Sequence, residues 1–202
     1  MQIVLQVSEE PTTLRKESDA LLDNDRFFEF CAQNPDMRIE RSAEGEVIFM
    51  PPPGGESSYQ NNEISFELSL WARRDGRGVV FDSSGHFILP NGAVRSPDAV
   101  WIRKARLEKL TREQKRRHIP ICPDFVIELR SPSDRLKTLK AKMEEWIGNG
   151  AELAWLIDPS HRTVTVYRPG CEPEKLSNAD FVIGEGPVEG FRLGLKEIWA
   201  GL

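Results

Sequence analysis

Cysteine is scarce in this chain: Cys31, Cys122 and Cys171 are the only three, and they are widely scattered. That excludes a disulfide framework and, with no two at metal-ligand spacing, predicts free thiols in a reducing, cytoplasmic compartment. Histidine is equally sparse; His86, His118 and His161 form no ligand pair, so zinc is not expected. No stretch approaches the roughly 18 to 20 apolar residues that a membrane helix needs. The apolar opening, Met1 to Val7, has no basic segment before it and is followed by Glu9 and Glu10, so a signal peptide is not expected. Positive charge is not in excess either. A net charge of -5 argues against a protein that coats nucleic acid by bulk electrostatics. There is no internal repeat, Gly-x-Ser-x-Gly elbow, Walker loop or dinucleotide fingerprint, which leaves the commonest hydrolase and nucleotide-binding classes without support.

What is present suits one ordinary domain spanning residues 1–202: 39% hydrophobic and 29% charged residues over a length able to bury a sizeable core. The first segment, to about Pro35, reads as a short strand and then a helix capped by Asp23 or Asn24. A hairpin follows, Met37 to Arg41 and Val47 to Met50, ended by the proline-rich loop Pro51 to Gly55. Asn61 to Arg74 has helical periodicity through Ile64, Leu68 and Trp71. Val79 to Phe81, His86 to Leu89, Arg95 to Ile102 and Asp124 to Arg130 read as strands. Leu136, Leu139, Met143, Trp146 and Ile147 mark one face of a further helix, which Gly148 and Gly150 stop. Strands at Leu153 to Ile157 and Thr163 to Tyr167 follow, and the tail is acidic and poor in pattern until Phe191. The expected fold is α/β: a mixed sheet with a long helix crossing between the strand of Glu128 and that of Leu153.

Period-two alternation isolates the chemistry. On one strand Asp98, Val100 and Ile102 share a face; on the other Asp124, Val126, Glu128 and Arg130 do. Both faces around Glu128 are otherwise apolar, and a carboxylate there is costly unless paired, hydrogen-bonded or bound to a metal. Adjacent strands lie about 4.8 Å apart, so Asp98 and Glu128 could share one cation. Asp124 repeats the Pro-Asp dipeptide but sits four residues, about 13 Å, from Glu128 on one strand, and is set aside. Arg103 to Arg117 carries eight basic residues against Glu108 and Glu113, a local charge of +6 that reads either as a solvated face or as a phosphate-contacting patch through Arg112, Lys115, Arg116 and Arg117. For a cation beside the carboxylates, Arg130 shares the face of Glu128. On the following helix Lys140 and Lys142 flank the apolar stripe on opposite sides, and helical phase does not choose between them.

Ser96-Pro97-Asp98, Phe125 to Asp134, Lys142-Met143 and Trp155 to Pro159 resemble the Uma-type (Uma-two) family of restriction-type endonucleases, within the superfamily whose signature is Pro-Asp followed by Asp/Glu-x-Lys, PD-(D/E)XK. The likeness runs from about residue 37 to 167. It implies a restriction-endonuclease-like αβββαβ core, here with an added N-terminal helix and hairpin. It further implies a DNA substrate and a divalent metal, Mg2+ or Mn2+, held by Asp98 and Glu128 and supported by Glu63 or Glu67 on the first core helix. The signature lysine two residues after Glu128 is replaced by Arg130; in sequences of this type a helix-borne lysine substitutes, and Lys142 holds that place. The expected activity is metal-dependent hydrolysis of DNA phosphodiester bonds, with a homodimer suited to cutting two strands; the alternative is an inactive nuclease-fold module for nucleic-acid binding or dimerisation.

Overall fold

The structure, a computed structural model, describes residues 12–14 and 23–202. The opening strand expected in the first segment falls largely outside those residues; within them a short strand, β1 (Thr12–Leu14), pairs with β3 (Val47–Met50). Helix α1 (Asn24–Ala32) begins where the Asp23 carboxylate accepts from the backbone N–H groups of Asp25 and Arg26 at 2.9 and 3.0 Å, satisfying two donors of the first turn. The hairpin forms from β2 (Arg38–Arg41) and β3. Helix α2 runs Gly55–Asp75, six residues longer at its start than the periodicity suggests, because the turn after Pro53 is already helical; it ends at Gly76, whose φ of 74° is a left-handed C-cap.

Six strands form the main sheet in the order β11-β10-β9-β8-β7-β4: β4 (Gly78–Asp82), β7 (Ala99–Arg103), β8 (Phe125–Leu129), β9 (Leu153–Asp158), β10 (Thr163–Tyr167) and β11 (Glu174–Ser177). Only β8 and β9 are parallel, and the helix between them, α4 (Leu136–Gly148), is the crossover that a parallel pair requires. The run α2-β4-β7-β8-α4-β9 is the αβββαβ core. Between β4 and β7 the chain inserts β5 (Phe87–Ile88) and β6 (Val94–Arg95), which join β1, β3 and β2 in a second, five-stranded sheet ordered β1-β3-β2-β6-β5.

Alternation sorts the sheet's side chains as the pleat demands. Ala99, Trp101, Phe125, Ile127 and Trp155 pack with Ile64, Leu68 and Ala72 of α2. Val100, Ile102, Val126 and Leu156 pack with Leu139, Met143 and Trp146 of α4. The tail is more ordered than its sequence implies: β12 (Phe181–Ile183) pairs with β13 (Arg192–Gly194), and α5 (Lys196–Ala200) closes the chain. Val182, Val188, Phe191, Leu193, Leu195 and Ile198 join the core on the α2 side, where Phe191 stacks on Trp155. The core therefore extends past Tyr167. These apolar residues are spaced irregularly, so no period announces them. Among the described residues, no helix is long and apolar enough to cross a membrane.

Candidate active site

Asp98 lies one residue before β7. The antiparallel register of β7 and β8, Ala99 opposite Ile127, carried back one step sets Asp98 across from Glu128. Both carboxylates are buried, at 6% and 2% exposure. Asp98 is anchored on one oxygen: Oδ2 accepts from the Leu129 N–H at 2.8 Å. Its Oδ1 is held loosely, by Nδ2 of Asn61 on α2 at 3.2 Å and by the Arg38 guanidinium at 3.4 Å.

Glu128 is met from α4. Oε1 accepts from Trp146 Nε1 at 2.9 Å, and Lys142 Nζ lies 2.9 Å from the same oxygen. Lys142 and Trp146 are four residues apart on one helix, hence on one face. The same ammonium reaches Glu40 Oε1 on β2, also at 2.9 Å. Glu40 further accepts from the Ser96 N–H at 2.9 Å and from Arg95 at 3.2 Å, and Arg95 is held in turn by Glu145 at 2.6 Å. Thus two sheets and two helices converge: β2 brings Arg38 and Glu40, β6 Arg95, α2 Asn61, the β7–β8 pair Asp98 and Glu128, and α4 Lys142.

The electrostatics separate the two glutamates. Burial would push Glu40 up, but Lys142, Arg95, Arg38 and the Ser96 amide outweigh it and hold the carboxyl at about 2. Burial pushes Glu128 up to about 7; Lys142 pulls it down, while Asp98 and Glu40 add to the rise. Burial disfavours the Lys142 charge, yet Glu128 and Glu40 hold its ammonium above the usual lysine range. Glu40 is therefore a fixed anion, Lys142 a fixed cation, and Glu128 a carboxylate whose charge Lys142 compensates only in part.

The donor set is all oxygen. Among the described residues no group of three or more His, Cys, Asp or Glu is arranged as a metal cage. Magnesium commonly takes one or two carboxylates and fills the rest of its shell with water and phosphate, so two facing carboxylates suit it. The loosely held Oδ1 of Asp98 and a buried Asn61 Oδ1 without a donor are the features an added cation would satisfy. Asp98 and Glu128 would hold the ion.

The remaining expected residues fall elsewhere. Lys142, not Lys140, reaches the carboxylates; Lys140 lines a surface cleft with Asp158, His161 and Thr165. Arg130 lies past the end of β8, and its guanidinium pairs with Asp158 at 2.7 Å rather than with Glu128. Glu63 and Glu67 make no hydrogen bond or ion pair among the described residues; the α2 side chain that reaches the site is Asn61, which lies two residues before Glu63 and so on a different face of the helix. Asp124 is structural: it accepts from the Arg103 N–H at 2.9 Å and pairs with the guanidinium groups of Arg103 and Arg106. The basic segment is mostly ordered loop. Only α3 (Lys104–Leu107) and a single 3-10 turn, Gln114–Arg116, interrupt it. Arg112, Lys115 and Arg116 are exposed, whereas Arg117 lies over the Phe28 ring and 3.5 Å from Asp25.

Glu40, Asn61 and Arg38 are site residues that the sequence did not single out. Arg38 and Glu40 alternate with Ile39 on a hairpin strand, a pattern that reads as a solvated face, and nothing local says that this face meets another sheet.

The comparisons bear on the family and the fold. The family described as "Uma2: Putative restriction endonuclease" matches residues 25–196. The crystal structure of a "putative nuclease belonging to DUF820" from Anabaena variabilis ATCC 29413 superposes with a TM-score of 0.68 at 23% identity, covering 80% of this chain and 89% of that one. At that identity the likeness is one of fold. No curated protein matches. Because the family match spans most of the chain and contains the whole carboxylate–lysine cluster, this protein belongs to the Uma2 family.

Proposed function

We propose that the chain is an endonuclease that hydrolyses DNA phosphodiester bonds with Mg2+ or Mn2+ at Asp98 and Glu128. The observation that carries this reading is the buried pair of carboxylates with Lys142 between Glu128 and Glu40. A cluster whose carboxylate is pushed to about 7 by burial is costly to maintain, and such groups concentrate at functional sites. Bound there, a divalent ion supplies an acidified water and neutralises charge on the phosphate.

The chain's own residues do the rest. The Leu129 N–H anchors Asp98 through Oδ2, so the loosely held Oδ1 is the oxygen that would hold the cation. Trp146 fixes Glu128. Lys142 stays protonated and is held at two points, so its remaining N–H can be donated to a phosphate oxygen at little cost in ordering. Lys142 thereby takes the role of the signature lysine, while Arg130 serves the Asp158 turn. Arg112, Lys115 and Arg116 offer exposed positive charge for backbone phosphates in an otherwise acidic protein. A cytoplasmic homodimer, one site per strand, completes the proposal.

The test is conversion of supercoiled plasmid to open-circular and linear forms. Cleavage is expected with Mg2+ or Mn2+, none with chelator, and none from Glu128→Ala. Equal nicking by wild type and Glu128→Ala would overturn the proposal.

A further inference from the structure

The buried polar atoms of the site are nearly all accounted for, and the exceptions sit together. Asn61 Oδ1 on α2 and Arg38 Nε on β2 are buried without a hydrogen-bond partner among the described residues. Both side chains attach to the same atom, Oδ1 of Asp98. A buried acceptor without a donor costs about 1–3 kcal/mol, so a native site seldom keeps one without cause. The orphan is not an exchangeable choice of amide orientation. Turning the Asn61 amide over would place its carbonyl against the Asp98 carboxylate and lose the 3.2 Å hydrogen bond. The donor end must face Asp98, which commits the carbonyl to the other side of the amide, where no N–H or O–H reaches it.

We infer that Asn61 supplies a third oxygen ligand to the divalent cation of this site, a neutral carbonyl added to the carboxylates of Asp98 and Glu128. The inference rests on the metal reading above and deepens it. An amide carbonyl is an ordinary ligand for a hard cation, and this one stands on a helix rather than a loop, so it is preorganised. It also explains why the helix presents an amide here and no carboxylate. Glu40, Asp98 and Glu128 already bring three negative charges into a buried space against Lys142, Arg38 and Arg95. A fourth buried anion would raise the cost of the cation-free state, whereas an amide adds an oxygen donor and, through its N–H, steadies Asp98.

The experiment is Mn2+ binding measured calorimetrically on the full chain without DNA, for wild type, Asn61→Ala, Asn61→Asp and Asn62→Asp. Asn61→Ala is expected to weaken Mn2+ about 10-fold, the low end of what losing one supporting group costs a metal site. Asn61→Asp is expected to bind Mn2+ more tightly than Asn62→Asp, which puts the same charge on the exposed neighbouring residue and so reports the long-range attraction alone. A residue that merely steadied Asp98 would behave otherwise: Ala and Asp would both weaken binding, since both lose the N–H donated to Asp98. That result, or unchanged affinity in Asn61→Ala, overturns the inference while leaving the metal reading intact. Absence of Mn2+ binding by wild type overturns the metal reading, and the inference with it. Circular dichroism and the melting temperature confirm that each variant is folded; alanine at this helical position is a better helix former than asparagine.

Discussion

Replacing Glu128 by Gln removes the proposed activity and should make the metal-free protein more stable. The glutamate is 2% exposed and its carboxyl is pushed from an ordinary 4.5 to about 7. A folded-state value raised above the unfolded one favours the folded protein relative to its charged form only while the group is protonated. That contribution is fully present below about 4.5 and is lost as pH rises through about 7. At 1.36 kcal/mol per tenfold change in proton affinity, the ionised group costs about 3 kcal/mol above pH 8. Gln has the shape of the neutral acid: its carbonyl can still accept from Trp146, and Lys142 keeps Glu40 as a partner. Glu128→Gln is therefore expected to gain about 3 kcal/mol over wild type at pH 8.5 and nothing at pH 4.5. For a chain of this size that is about 6–12 °C in melting temperature. The assay is thermal unfolding across that pH range with EDTA present, since a bound divalent ion would compensate the charge and close the gap. A Glu128→Gln protein no more stable than wild type at pH 8.5, or a gap that does not shrink toward pH 4.5, refutes the argument that Glu128 is a buried anion compensated only in part.

Lys142→Ala should lower single-turnover cleavage at saturating protein at least about 100-fold, the scale of losing one transition-state contact, whereas Arg130→Ala should cut near the wild-type rate and melt at a lower temperature through loss of its Asp158 pair; the reverse pattern would assign the role to Arg130. Replacing Arg112, Lys115 and Arg116 by Gln should weaken DNA binding alike for all sequences and flatten its salt dependence. Arg117→Gln should instead lower stability, because its guanidinium lies over Phe28, and binding unchanged in the triple variant would mark the segment as a solvated surface. His118 is buried against Phe27, Phe28 and His86, and burial, with the positive neighbours His86, Arg41 and Arg117, pushes it down to about 3. The unfolded chain takes up that proton first, so stability should fall as pH drops from about 6.5 toward 3, and His118→Phe should flatten that fall in acid-unfolding curves.

The buried carboxylate pair was legible because burial and charge conflict within a few residues of sequence. Glu128 sits in Phe125-Val126-Ile127-Glu128-Leu129, where an ionised side chain has no local reason to be. The antiparallel pairing that sets Asp98 opposite it needs only the order of two strands. Lys142 was legible by a different route: helical phase left it level with Lys140, and likeness to the Uma2 family chose it. Phase alone failed because both lysines flank the same apolar stripe; what separates them is which flank faces Glu128, a property of how α4 lies across the sheet.

Glu40, Arg38 and Asn61 illustrate the limit. Each is an ordinary polar residue in its own element, and each becomes part of the site only because the five-stranded sheet and the start of α2 meet the ends of β7 and β8. The same holds for the tail, where Phe191, stacked on Trp155, and Leu193 belong to the core by tertiary packing rather than by any period of their own. By itself, then, the sequence determined two things: its local periodicities gave the individual helices and strands, the faces of the central strands and the two carboxylates, because side-chain alternation and helical phase act over a few residues, while its motifs gave the family likeness and, through it, the αβββαβ order. Only the tertiary structure decided which side chains gather around the two carboxylates and which lysine reaches them, because those contacts join residues as far apart as Glu40 and Lys142, and a pairing across 102 positions leaves no mark on either segment alone.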